Sequence, residues 1–151
     1  MSKLESKYPK PKKWIPRNKE KYNGNWDNII ARSSWELRVF KWMDDDSSII
    51  SWSSEETMIP YLSPVDNKWH KYFPDIWARM KLANGRIKTY LLEIKPYHQA
   101  IEPQIKKRIT KQYINEVCTY GINQSKWKYA KEYCLDRGWE FKVLTEHDLG
   151  L

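Results

Sequence analysis

Apolar positions recur along the chain in two periods, and the changes between them divide it into elements. From residue 26 to 44 the spacing is helical, in one piece or two. Ser33-Ser34-Trp35-Glu36 has the form of a capping box, with Ser33 as N-cap and Glu36 three residues on. Leu37, Phe40 and Met43 then share a face that points to a core. Asp44, Asp45 and Asp46 oppose the helix dipole at its C-terminus and end the helix there. Residues 48–52 and 57–62 predict short strands, the second at an edge or a bulge because of Pro60. A polar turn over 63–68 leads to two longer strands, 70–82 and 86–95. After Pro96 the helical period returns near 101–118 and 125–137, where Gly138 is placed to stop it. Residues 139–144 alternate as a last strand. The order α-β-β-β-β-α-α-β predicts an α/β fold, a mixed sheet with helices packed on it.

The two long strands are joined at Ala83-Asn84-Gly85, and Asn-Gly is a strong hairpin signal. A two-residue loop would set Asp75 opposite Ile94, on the far side from Glu93. A three-residue loop with Gly85 in the left-handed position sets Asp75 directly across from Glu93, and pairs Ile76 with Leu92 and Ala78 with Tyr90. That apolar face is the sensible one, so the three-residue loop is predicted.

Charge adds a direction. The chain of 151 residues carries a net +8, with eight Lys/Arg against two Glu through Lys21 and only +2 left for the remainder. Residues 1–25, with Pro9, Pro11 and Pro16, read as a basic irregular arm ahead of a domain over 26–151. Trp14 and Ile15 anchor that arm to a partner or to the body. A basic balance favours a polyanion. Two isolated thiols, Cys118 and Cys134, and no secretory segment point to a reducing, cytoplasmic setting. The apolar runs are too short to span a bilayer. With 9 Trp and 10 Tyr the chain has rings enough for both core and base stacking. Trp52, Trp77 and Trp139 fall on strands and are expected inside, whereas Trp69 is the ring expected to touch DNA.

The chemistry concentrates in Phe73-Pro74-Asp75-Ile76 and Leu92-Glu93-Ile94-Lys95-Pro96. Residues two apart on a strand share a face, so Glu93 and Lys95 point together while Leu92 and Ile94 enter the core. Two opposed carboxylates repel unless a cation lies between them, and all-oxygen ligands suit Mg²⁺ or Mn²⁺. Such an ion polarises a phosphate and activates water, with Lys95 placed to orient the water or neutralise developing charge. His70, His98 and His147 have no ligand spacing with either cysteine, which argues against a zinc site.

These segments, with Ser34-Trp35-Glu36, Ile59-Pro60-Tyr61 and Phe141-Lys142-Val143-Leu144-Thr145, resemble the PD-(D/E)XK nucleases over 33–144, especially the TnsA-like branch. Within that superfamily the likeness is to the head-completion nucleases of T-even-type tailed phages, over the full chain. The resemblance implies a restriction-endonuclease-like fold and a site of Glu36, Asp75, Glu93 and Lys95. It implies metal held by Asp75, Glu93 and Glu36, with Ile94 through its main chain. It also implies double-stranded DNA as substrate, partners among phage head, portal or neck proteins, and action in the infected host's cytoplasm with retention in the virion open. Gln112 is a weaker carry-over. Lys10, Lys12, Lys13, Arg17, Lys107, Arg108 and Lys111 either contact phosphates or keep their surfaces solvated. Two other readings stay open: a head–tail connector with a dead nuclease fold, and a transposon- or restriction-type endonuclease.

Overall fold

The computed structural model describes residues 7–150, with side chains from residue 10 onward. Its elements are β1 (Lys7–Trp14), β2 (Ile29–Ser33), α1 (Ser34–Asp45), β3 (Ile49–Ser54), β4 (Ile59–Leu62), β5 (Trp69–Tyr72), β6 (Ile76–Lys81), β7 (Ile87–Ile94), α2 (Tyr97–Ala100), α3 (Lys111–Arg137) and β8 (Glu140–Leu144), with 3-10 turns at Lys19–Lys21 and Trp26–Asn28. Four strands form the central sheet in the order β3-β6-β7-β8. The first two pairings are antiparallel and the last is parallel, so the sheet is mixed as predicted.

The hairpin has the predicted three-residue loop. Ile76 pairs with Leu92, Ala78 with Tyr90 and Lys81 with Ile87. Leu82 N donates to Arg86 O at 2.7 Å, and Gly85 takes φ 84°, open to glycine at little cost. This register alternates the sheet's two faces. Ile76, Ala78, Leu92 and Ile94 join a core under α1 with Val39, Phe40, Met43 and Trp52. Leu91 and Phe141 join a second core under α3 with Trp127, Ala130 and Cys134.

Four expectations need correction. The helical stretch from 26 is a 3-10 turn and a strand before it is a helix. Ile29, Ala31 and Ser33 alternate inward on β2, which pairs with β1. The single strand over 70–82 is two. Pro74 has no N–H for a ladder, and the chain breaks at 73–75, so that β5 pairs with β4 while β6 enters the central sheet. The two helices after Pro96 are replaced by a four-residue α2, an irregular stretch over 101–110 and one 27-residue α3. Thr110 caps α3, its side chain accepting from Tyr113 N, and Gly138 ends it with φ 71°. Packing of Asn123, Trp127, Ala130 and Cys134 carries the helix through Gly121. Finally, Trp77 and Trp139 are only half-buried, edge to face at 6.4 Å, whereas Trp52 is wholly enclosed.

The first six residues of the basic N-terminal stretch lie outside the described residues. The rest departs from the irregular arm expected: Lys7–Trp14 form β1, which pairs with β2, and the stretch runs along the body. Trp14 packs its ring 5.7 Å from Phe40 and 6.1 Å from Trp52, so it anchors the stretch to the body. Tyr22 is buried edge-on to Trp52 at 4.8 Å. Asp44 accepts from the main-chain N–H groups of Arg17 (2.8 Å) and Asn18 (3.0 Å).

Candidate active site

Three elements converge at the C-terminal end of β7. That end is held on both sides. β6 pairs with it through Ile76, and β8 runs parallel to it as far as Leu144, whose carbonyl accepts from Lys95 N at 2.9 Å. Glu93 shares a face with Leu91 and so points toward α3. It is buried, 6 % exposed. Tyr72 Oη donates to Glu93 Oε1 at 2.7 Å, and Lys95 Nζ lies 3.3 Å from Oε2. Such bonds to a carboxylate fix its plane.

Asp75 sits in the break between β5 and β6, one position beyond the Ile76–Leu92 rung, which brings it across from Glu93. Its Oδ2 accepts from Ile94 N at 2.7 Å, a side chain taking the place of the ladder's next carbonyl. Burial pushes the Asp75 carboxyl well above the usual carboxylate range, and Glu93 and Glu36 add to the shift. The Ile94 amide and Lys95 oppose it without cancelling it. Burial beside Glu93 likewise drives the Tyr72 hydroxyl up, so it stays a donor. Glu36 also serves the helix, for its N–H donates to Ser33 Oγ at 3.1 Å while its Oε1 accepts from Arg32 N at 3.2 Å. The capping role and the electrostatic reach to Asp75 coexist in one side chain.

Reasoning from sequence missed Lys126. Its Nζ lies 5.5 Å from the centroid of the Tyr72 ring and 5.7 Å from that of Tyr61. Burial and Lys95 pull its pKa down, against the opposite pull of Glu93 and Asp75. A signal was available: Lys126 falls within the inward stripe of α3, between Asn123 and Ala130, where an apolar residue belongs. Gln112, the helical residue singled out instead, bonds Glu116 at 3.4 Å on the helix's first turns. It precedes Lys126 by about 21 Å of helix.

Ile94's side chain is buried in the α1-side core, so only its main chain faces the site. Trp69 is 62 % exposed, edge-on to Tyr129 at 5.5 Å. Lys107, Arg108 and Lys111 are exposed on 101–111, while Lys10, Lys12, Lys13 and Arg17 are exposed on the N-terminal stretch, where Lys13 pairs with Asp27 at 3.3 Å. Among the described residues no three His, Cys, Asp or Glu side chains form a ready-made cation cage, and no helix is long and apolar enough to cross a membrane.

The chain belongs to the family described as TnsA-like endonuclease N terminal, which matches residues 46–146. The match takes in Asp75, Glu93, Lys95 and Lys126, and starts after Glu36. Over 141 residues, 91 % of each chain, the protein is 38 % identical to the head completion nuclease of Enterobacteria phage T4. No solved structure matches it.

Proposed function

We propose that this protein is a metal-dependent DNA nuclease of phage head completion, which hydrolyses phosphodiester bonds of packaged DNA before the tail joins the head. Its partners would be double-stranded DNA and head, portal or neck proteins, and its setting the cytoplasm of the infected host. The observation that carries the reading is Asp75 across from Glu93, held by the Ile94 N–H and with its carboxyl driven up by burial and by two acidic neighbours. That arrangement is unfavourable alone and is relieved by a cation.

The chemistry of the donors suits the ion, while the three carboxylates are not already gathered into a cage among the described residues. Asp75, Glu93 and Glu36 are an all-oxygen donor set, which suits Mg²⁺ or Mn²⁺ and not zinc. Asp75 and Glu93 would hold it, with Glu36 and the Ile94 main chain completing the set. When bound, it would supply Lewis acidity toward a phosphate and a water. The protein's own groups do the rest. Tyr72 and Lys95 hold Glu93 in one orientation. The Ile94 amide fixes Asp75. Lys95 Nζ directs the attacking water and offsets negative charge as the new P–O bond forms and the bond to the departing sugar oxygen breaks. The attacking water passes its proton to solvent and the departing sugar oxygen takes one from solvent, so that protons balance over the step.

The test is a gel assay on linear and circular duplex DNA, with wild type, Asp75→Ala and Lys95→Ala, in Mg²⁺ and in excess chelator. Cleavage by wild type with metal alone, reduced about 10³-fold or more in either variant, is the expected result. Parental cutting by Asp75→Ala sinks the assignment. Absence of cleavage from protein that still binds DNA favours a head–tail connector, and strong site preference on a long duplex favours a transposon- or restriction-type enzyme.

A further inference from the structure

We infer that Lys126 is a second catalytic cation, supplied by α3, which binds a non-bridging oxygen of the scissile phosphate opposite Lys95. The inference rests on the nuclease reading above and names a substrate contact that reading does not contain.

The argument starts from cost. A half-buried ammonium is retained where something compensates for lost water. No carboxylate among the described residues lies within 4.0 Å of Lys126 Nζ, so an ion pair does not explain it. What surrounds it are the faces of Tyr61 and Tyr72, which attract a cation weakly and leave its N–H donors unspent. Tyr72 at the same time holds Glu93 through its hydroxyl. The ammonium is therefore one aromatic ring away from the site's central carboxylate.

The neighbourhood has a two-part imbalance. Burial, Glu93 and Glu36 all disfavour a charged Asp75, which calls for a cation. Lys126, half-buried and beside Lys95 but without a carboxylate within 4.0 Å among the described residues, keeps ammonium donors that an anion can take up. Phosphate brought in beside a divalent ion meets both demands, since the ion relieves the carboxylates and a negative oxygen accepts from Lys126.

The experiment compares wild type with Lys126→Gln, Lys126→Met and Lys126→Arg. Methionine keeps the stem that packs on the tyrosines and removes the charge. At saturating Mg²⁺, Gln and Met are expected to lower kcat about 10²–10³-fold with KM nearly unchanged, and Arg to recover much of the loss. Binding of a linear duplex in chelator supplies a readout independent of turnover. The slope of log affinity against log salt should fall by about 1 in Gln and Met and stay constant in Arg. Melting temperatures identify any variant that fails to fold, and the Met–Arg pair then decides. Charge-removing variants that cut within threefold of wild type, raise KM alone, or leave the salt slope intact overturn the role of Lys126 while leaving the nuclease reading standing. Wild type that cuts no DNA with Mg²⁺ or Mn²⁺ overturns both.

Discussion

The two faces of the central sheet are built to opposite rules. Under α1 the packed cluster is dominated by apolar side chains, with Val39, Phe40, Met43, Trp52, Ile76 and Ala78 all fully enclosed, and the polar groups buried at its edge, Asp44 and the Tyr22 hydroxyl, are met by main-chain groups. Under α3 the layer mixes Leu91, Trp127 and Ala130 with Tyr72, Glu93, Asn123 and Lys126. The same strand supplies both, one residue apart. Leu92 and Ile94 go to the dry face, while Glu93 goes to the polar one. Low-dielectric packing on one side sets the backbone rigidly, and incomplete apolar packing on the other leaves charged groups perturbed enough to do chemistry. A slip of one residue in the β6–β7 register would exchange the two roles and lose both.

If that division of labour holds, damage on the dry face should cost stability and leave the chemistry intact. Trp52→Ala removes the largest enclosed side chain and its contacts with Trp14, Tyr22 and Phe40, at about 3–5 kcal/mol in denaturant unfolding. Trp139→Ala, on a half-buried ring, is expected to lose less than half as much. Equal losses would show that the two layers carry the fold alike.

The opposite behaviour is expected on the polar face. Asp75→Asn abolishes cleavage yet raises the melting temperature of metal-free protein by a few degrees, at about 2–4 °C per kcal/mol for a chain of this size. The sign follows from the direction of the shift. A carboxyl whose pKa is raised on folding binds more protons when folded, so its ionisation opposes folding above the raised pKa, and the penalty fades as pH falls toward the ordinary carboxylate range. The gap between variant and wild type should therefore narrow on acidification and close when Mg²⁺ is added. A variant less stable than wild type at neutral pH in chelator would refute the repulsion at Asp75. The smallest effect expected is from Ser33→Ala, which removes the α1 cap at about 1 kcal/mol and leaves cleavage in place at moderate temperature. Lost cutting at unchanged stability would mean that the capping box positions Glu36 for the reaction.

The legible parts of the molecule were those governed by local rules. Asn84-Gly85 and the apolar alternation on either side sufficed for the hairpin register, and the register alone brought Asp75 across from Glu93. The capping box at Ser33 and the stop at Gly138 were read from side-chain chemistry and backbone freedom. Less legible was anything that depended on what lay across the gap. The chain from residue 7 to 22 reads as a basic arm from its prolines and lysines, and becomes part of the body because Trp14 and Tyr22 find Trp52. The segment 29–33 has helical apolar spacing and becomes a strand because β1 offers it a partner.

The sequence by itself thus determined an α/β chain with two opposed acids and a lysine on one strand pair, because strand parity and turn geometry are properties of neighbouring residues. Tertiary structure alone decided that the long strand breaks at Pro74, that α3 runs unbroken through Gly121, and that Lys126 arrives beside Tyr72 and Glu93. Each of these turns on packing between residues far apart in the chain, where the free energy of burial outweighs local preference and no periodicity records the partner.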